Sequence, residues 1–402
     1  MAVLRTALGV LDASFDRVTV CFLRPSTVDG AAAVPHVDYV QLPDSRRARV
    51  GQLVASGIVG HRSLNEAAGI DRTQLAGLEA ALCGVGVTPD LFVLDGLRVA
   101  ATLSHIGAPA LVDLDDLLSV RYRAWASLPF AELPFDIFGT NPSSPVNGLA
   151  RRLRPLLPHV LRHEARAAER FELDVCASGA RLSLVNPVEA AALSQRIGRI
   201  VDTLPMALPS LPSATWLYRC DPRFDAAFVG RVTHLSNLAS LHWFAQEVLP
   251  ELRRLLGRAP RIAVVGRTSA TVERWLRSIG LEPLGFVPDL ADVLAASAVA
   301  IAPQIVGGGV NTKVLDYAAA GIPIVGTTNA FAGLLASEEA EWSPVDEGQC
   351  FAEAMAAIRF DPRRAANSVA AVRDHVRVNY DLATVQARWH GAMAAAIDEQ
   401  GT

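Results

Sequence analysis

Lysine is almost missing from this chain: of its 37 basic residues, 36 are arginine and one, Lys313, is lysine. A surplus of Ala and Arg is the mark of GC-rich coding, which replaces lysine wherever any cation will serve. A lone lysine is therefore either a surface remnant or a place where a compact ammonium, not a planar guanidinium, is needed. Cysteine is scarce and scattered, at 21, 83, 176, 220 and 350, with no CxxC. That excludes a zinc ribbon or a disulfide framework and fits a reducing compartment. Charge of one sign is not in excess either; the net charge of −4 leaves no broad basic face for nucleic acid. No apolar run approaches the ~18–20 residues of a membrane span; the best, 293–303, is about half that. The first 16 residues carry one arginine and then Asp12 and Asp16, a poor signal peptide. A cytoplasmic protein, at most peripheral to a membrane, is the expectation.

What remains is an ordinary globular composition, 51% apolar and 19% charged over 402 residues, enough for two or three domains. Short Val/Ile/Leu-rich runs alternate with segments of helical period, the pattern of βαβ units and parallel sheets. In the first half strands are predicted at 17–23, 36–42, 91–95 and 110–113, with further pieces at 174–177 and 182–185, after a helix over 1–11. The stretch 127–146, rich in Pro, Ser and aromatics, reads as a loop. A basic helical stretch at 149–170 follows, its arginines at 151, 152, 154, 162, 166 and 170 forming a solvated face or a surface for anionic membrane. A Pro-rich hinge begins at 204 (LPMALPSLP). In the second half strands are predicted at 226–230, 261–265, 283–286, 298–302 and 323–326, and helices at 237–256, 271–279, 291–296, 312–320 and 363–397, the last broken near 379–381. The expected organisation is α/β, with two doubly wound Rossmann-like domains at 1–203 and 215–375. A hinge at 204–214 joins them, and a C-terminal helix, 376–402, packs back on the first domain.

The chemistry concentrates in four strand-end segments: FVGRVTHLSN (228–237), VVGR (264–267), GFVPDL (285–290) and APQIVGGGVNTKVLDYAAAGIPIVGT (302–327). In an open parallel sheet ligands sit outside the carboxyl ends of the strands, where glycine lets a ligand approach the backbone. Gly307, Gly308 and Gly309 let amide groups meet an anion, and a helix starting near Asn311 points its positive end there. Lys313, in that helix's first turn, is badly placed for the helix dipole unless an anion offsets both. Arg231, after Gly230, supplies a second cation, and Asp316, one turn beyond Lys313, can accept from sugar hydroxyls. The plainer alternative makes the glycines turns and Lys313–Asp316 a surface i,i+3 pair.

In order and spacing these segments, from about 226 to 335, resemble the donor-binding domain of GT-B glycosyltransferases, specifically the retaining glycosyltransferase family 4 group. LVDLDDLLSVRYR (111–123) and VNPVEAAAL (185–193) resemble segments of enzymes that build bacterial polysaccharides or glycosylate natural products. The resemblance implies two Rossmann-like domains facing each other across a cleft. It implies donor diphosphate at Gly230 and Arg231, and nucleotide base between the backbones of Phe286 and Val287 past the strand-end Gly266. Phosphate and sugar would lie along Gly307, Gly308, Gly309, Val310, Asn311, Thr312 and Lys313, with ribose at Asp316. The chain departs from the family in three ways. The first of two glutamates eight positions apart falls on Gly308, the second being Asp316. The basic residue usual a few positions after the arginine is absent from VTHLSN (232–237). The strand and glycine-rich loop expected before the first helix do not precede it.

Asp113-Leu114-Asp115 matches the DxD by which GT-A enzymes hold a metal, but two parallel-sheet domains argue against that class. Asp115 or Asp116 is instead expected to orient an acceptor hydroxyl, with a helix N-cap as the alternative. His159 and His163 lack a third ligand, so no metal site is assigned; His234 and His242 lie near the donor segment. The expected activity is metal- and cofactor-independent transfer of a sugar from a nucleotide-diphosphate donor to a hydroxyl of a saccharide, lipid-linked or small-molecule acceptor. Arg231 and Lys313 would stabilise the departing diphosphate. A non-catalytic nucleotide-sugar-binding or partner subunit and a nucleotide-sugar epimerase are the other readings.

Overall fold

The structure, a computed structural model, describes residues 2–22, 37–42, 72–86, 88–133, 154–208, 217–334 and 344–400. The expected Arg151 and Arg152, and most of the hinge, lie outside these residues. The chain divides into two compact units. One comprises Met1–Val120, His163–Ala207 and Tyr380–Thr402; the other comprises Arg121–Arg162 and Leu208–Asn379.

The first unit runs α1 (Ala2–Ser14), β1 (Val18–Phe22), β2 (Val37–Gln41), α2 (Arg72–Val85), β3 (Phe92–Asp95), β4 (Ala110–Asp113), the start of α3 (Leu118–Trp125), most of α4 (Leu157–Ala177), β5 (Arg181–Leu184), α5 (Pro187–Ile197) and β6 (Val201–Thr203). β3, β4, β5 and β6 form a parallel sheet in that order, and β1 pairs in parallel with β2. Central β4 is buried along its whole length, which is why ALVD carries no alternation. Asn186 accepts the amides of Val188 and Glu189 and Pro187 follows at the first helical position, so VNPVEAAAL reads as a capped helix start.

Residues 174–177, expected as strand, are the last turn of α4. The apolar run VCA is one end of a helical face, with Ala165, Ala168, Phe171, Val175 and Cys176 buried at helical spacing. Arg162, Arg166 and Arg170 are exposed four residues apart along the same helix.

The second unit begins with a stretch of the first half. Leu128, Phe130 and Leu133 are buried in one core with Phe228, Leu241, Phe244 and Ile301, so 121–162 groups with the later residues rather than with 1–203. Then follow β7 (Phe224–Val229), α6 (Leu235–Trp243), α7 (Leu249–Leu256), β8 (Ile262–Val265), α8 (Ala270–Ser278), β9 (Glu282–Gly285), α9 (Leu290–Ala295), β10 (Ser297–Ala302), α10 (Thr312–Ala320), β11 (Ile324–Gly326), α11 (Thr328–Phe331), α12 (Gly348–Phe360) and α13 (Pro362–Tyr380). The single helix expected at 237–256 is divided by a π turn at Phe244–Val248, where a Cβ on Gly348 would lie 2.5 Å from the Glu247 carbonyl oxygen. α14 (Leu382–Gln400) belongs to the first unit, where Val385, Trp389 and Met393 pack with Ala7, Val10 and Leu111.

The five strands of the second unit are parallel in the order β11-β10-β7-β8-β9. The chain leaves β7 toward β8 and β9, then returns to the other side of β7 as β10. That reversal opens a crevice beyond the carboxyl ends of β7 and β10, the usual ligand position in such sheets. Tyr317 is wedged there from α10: its buried hydroxyl accepts from the Val229 amide (2.8 Å) and donates to the Ile301 carbonyl (3.2 Å). At the opposite end of β7, buried Asp225 is held by Arg258 (2.7 Å) and the Arg261 amide (2.8 Å).

Candidate functional site

Three glycines end adjacent strands. The Gly230 amide donates to Val265 and the Gly266 amide to Gly285. Gly230 and Gly266 have φ of 153° and 132°. A Cβ on Gly266 would lie 2.2 Å from the Gly230 carbonyl oxygen, so only glycine fits there. Next comes a turn in which the Arg231 carbonyl accepts from the His234 amide (3.0 Å). The Arg231 side chain is exposed and has no hydrogen bond or ion pair among the described residues.

Lys313 meets this turn from α10. It is 6% exposed, and its Nζ lies 4.2 Å from the Phe228 ring centre and donates to Asn237 Oδ1 (2.7 Å). The surface-pair alternative therefore does not hold: Lys313 turns inward, and Asp316 makes no hydrogen bond or ion pair among the described residues. Burial without a carboxylate partner pushes the ammonium down to about 7. Burial also raises the half-buried Asp316 carboxyl. Partial burial, then the charges of Arg121, Arg231 and Lys313, holds His234 below its usual value. Four basic side chains thus converge on one strand end.

The glycine loop lies between β10 and α10. Buried Gln304 supports it, donating to the Val306 carbonyl (2.6 Å), and a Cβ on Gly307 would press to 3.0 Å against that amide. Gly309 has φ 69°. Asn311 precedes α10 without a side-chain capping bond, and its buried Nδ2 has no partner among the described residues. Gly308, Val310 and Thr312 lie in the same loop and helix start, Thr312 exposed. Phe286 (78% exposed) and Val287 follow β9, with β8 between them and β7. At ~4.8 Å per strand that is roughly 10 Å from the cations.

Sequence reading missed three supports. Asn237 links Lys313 to the Arg231 turn; it stands one helical turn into a segment that opens right after a strand-end glycine, the available signal. Tyr317 shares the Lys313 face of α10 at i,i+4, and a lone tyrosine in an apolar run is a cue to a buried hydroxyl. Trp125 donates from Nε1 to Ser236 Oγ (2.8 Å) and meets the His234 ring edge-on at 5.5 Å. No local pattern announces that contact across 111 residues.

In the first unit β4 ends at Asp113, which is buried and accepts from the Asp115 amide (3.1 Å) and Ser183 (3.2 Å). Burial, and the charges of Asp115 and Asp95, push its carboxyl up to about 7 against those hydrogen bonds. Asp115 is exposed at φ 63°, whereas Asp116 is buried. Just beyond them, Glu189 accepts from the Leu117 amide (3.3 Å) and Glu172 from the Ser119 amide (3.0 Å). Among the described residues no group of three or more His, Cys, Asp or Glu could hold a metal, and no helix is long and apolar enough to cross a membrane.

Residues 223–359 match the family model described as glycosyl transferases group 1. No curated protein matches the chain in sequence. Among solved structures, sucrose-phosphate synthase from Thermosynechococcus elongatus has a TM-score of 0.63 at 12% identity, over 98% of this chain and 92% of that one. HepE from Anabaena, in complex with UDP and glucose, has a TM-score of 0.59 at 13% identity, over 98% and 96%. A glycosyltransferase from Rickettsia africae has 0.59 at 9%, over 99% and 94%. The chain has the GT-B fold, and the part of it that matches the glycosyl transferases group 1 model lies within the second unit.

Proposed function

We propose that the protein binds a nucleotide-diphosphate sugar in its second unit and transfers the sugar to an acceptor hydroxyl. One observation carries this reading: Lys313 is buried near the Arg231 turn at the reversal point of the sheet, with no carboxylate paired to it among the described residues. A buried ammonium without a carboxylate costs several kcal/mol, and a diphosphate removes that cost. The diphosphate lies against Arg231, Lys313 and the amides near Gly230 and Gly307–Gly309. The base extends past Gly266 to Phe286 and Val287, and Asp316 accepts from ribose. Asp115, exposed at the end of β4, serves the acceptor side together with Asp116.

In transfer, the bond from the anomeric carbon to the diphosphate oxygen breaks and a bond to the acceptor oxygen forms on the same face. The acceptor proton goes to the departing diphosphate. The fixed cations stabilise the charge that develops there, so no metal or cofactor is needed. The test is release of nucleoside diphosphate from UDP-, GDP-, ADP- and dTDP-glucose, with saccharide and lipid-linked acceptors, with and without EDTA. EDTA-insensitive release with one donor is expected, its product keeping the anomeric configuration. Binding without release would instead favour a non-catalytic nucleotide-sugar binder, consistent with Gly308 at the first carboxylate position. A changed donor sugar without release would mean epimerisation.

A further inference from the structure

The Lys313 ammonium donates to a neutral group, and that group also holds the opposite wall of the site. Asn237 uses both ends of its amide: Oδ1 accepts from Lys313 Nζ (2.7 Å), and Nδ2 donates to the Arg231 carbonyl (3.0 Å). It fills the space left open by Gly230, where a Cβ would lie 2.8 Å from Nδ2. We infer that Asn237 is a positioning residue, fixing Lys313 and the Arg231 turn to one another while leaving the ammonium without a counter-charge, so that the charge stays available to the anion.

Choosing an amide over a carboxylate is what matters. Asp at 237 has the same outline and would accept from Nζ equally well, but would pair with the ammonium and then repel a diphosphate. The other groups around Lys313 do not compensate it. Arg121, Arg231 and His234 are basic, Tyr317 is committed to Val229 and Ile301, and Asp316 makes no bond to Nζ. Trp125 fixes the same turn from its far side through Ser236 and His234, so the turn is held at both ends. The inference rests on the donor reading above for the identity of the anion, but not for the Lys313–Asn237 relation itself.

The single lysine makes a direct test possible, because protein labelled with ε-13C-lysine carries one lysine signal. In the wild type that signal is expected to titrate near pH 7, well below an ordinary lysine, because the ammonium is buried. In Asn237→Asp it titrates at least two pH units higher, affinity for UDP, GDP or ADP at pH 6, where the wild-type ammonium is charged, falls at least tenfold, and the melting temperature does not fall. Asn237→Ala, which removes both hydrogen bonds without adding charge, also weakens nucleotide binding but does not raise the titration. Equal titration in wild type and Asn237→Asp, or undiminished nucleotide affinity in both variants, overturns the inference. Should Asn237→Asp not fold, a wild-type lysine titrating near pH 10.5 does the same. If no nucleotide moves the wild-type signal while the two titrations differ as stated, the donor reading fails and the positioning relation stands.

Discussion

The two units treat the carboxyl ends of their strands in opposite ways. In the first, β3 and β4 end in Asp95 and Asp113, with Asp115 and Asp116 just beyond. In the second, β7, β8 and β9 run into Gly230, Gly266 and Gly285. Each unit buries a charged group near those ends, Asp113 in the first and Lys313 in the second, and burial brings both to about 7 from opposite directions. Asp113 is enclosed by its own turn, accepting from the Asp115 amide and Ser183. Lys313 has one neutral acceptor, Asn237, among the described residues. At the far end of β7, Asp225 is buried against Arg258 and Arg261, so this unit pairs a buried charge when the role is structural. That difference is the ground on which the donor site is proposed at Lys313.

The contrast breaks most visibly at Lys313. Lys313→Met keeps the stem over Phe228 and removes the charge. Nucleotide affinity should fall 10–100-fold, as for a charged hydrogen bond worth ~1.5–3 kcal/mol. The ligand-free protein should melt no lower than wild type, since an uncompensated cation has gone. Loss of stability together with unchanged affinity would make Lys313 a structural residue. Next comes Gly266→Ala, expected to cost roughly 2 kcal/mol and to show in calorimetry as a lowered transition, because its Cβ meets the Gly230 carbonyl.

The two buried charges also have opposite pH signatures. Burial keeps the proton on Asp113 in the folded state up to about pH 7, whereas the unfolded chain releases it near the ordinary carboxyl value of 3.8. Its contribution is therefore fully present below about pH 4 and is lost as pH rises through 7. Lys313 behaves in reverse. The unfolded chain keeps the proton to about 10.5 and the fold gives it up near 7, so stability rises between those values. Denaturant melts of Asp113→Asn should lose the first slope, and those of Lys313→Met the second. Smallest of the expected effects is Trp125→Phe, which removes the bond to Ser236 for about 1 kcal/mol and should weaken nucleotide binding a few-fold. An equal loss of stability with no change in binding would separate Trp125 from the site.

Much of this was legible in the chain. The five strands of the second half sit within a few residues of their expected places because fully buried parallel strands such as AVAIA leave an unbroken apolar run, whereas the helix at Gly348–Phe360 was not expected. The lone lysine was singled out because a dipole-opposed cation in a helix's first turn needs a reason, and the structure turns it inward onto Asn237. Distance hid the rest. Nothing local shows that Lys313 reaches back 76 residues to Asn237, or that 121–133 packs on the second unit. The strand expected at 174–177 failed because three apolar residues fit either period, and the buried face running back to Ala165 decides for helix.

Thermal stability of wild type and Lys313→Met across a panel of nucleoside diphosphates tests the central claim most directly. A ligand at 100 times its dissociation constant stabilises by ~2.7 kcal/mol. The account predicts a clear, EDTA-insensitive shift of the wild type with at least one diphosphate, and its near disappearance in Lys313→Met. A shift of equal size in both proteins, or in neither with any diphosphate, would contradict it.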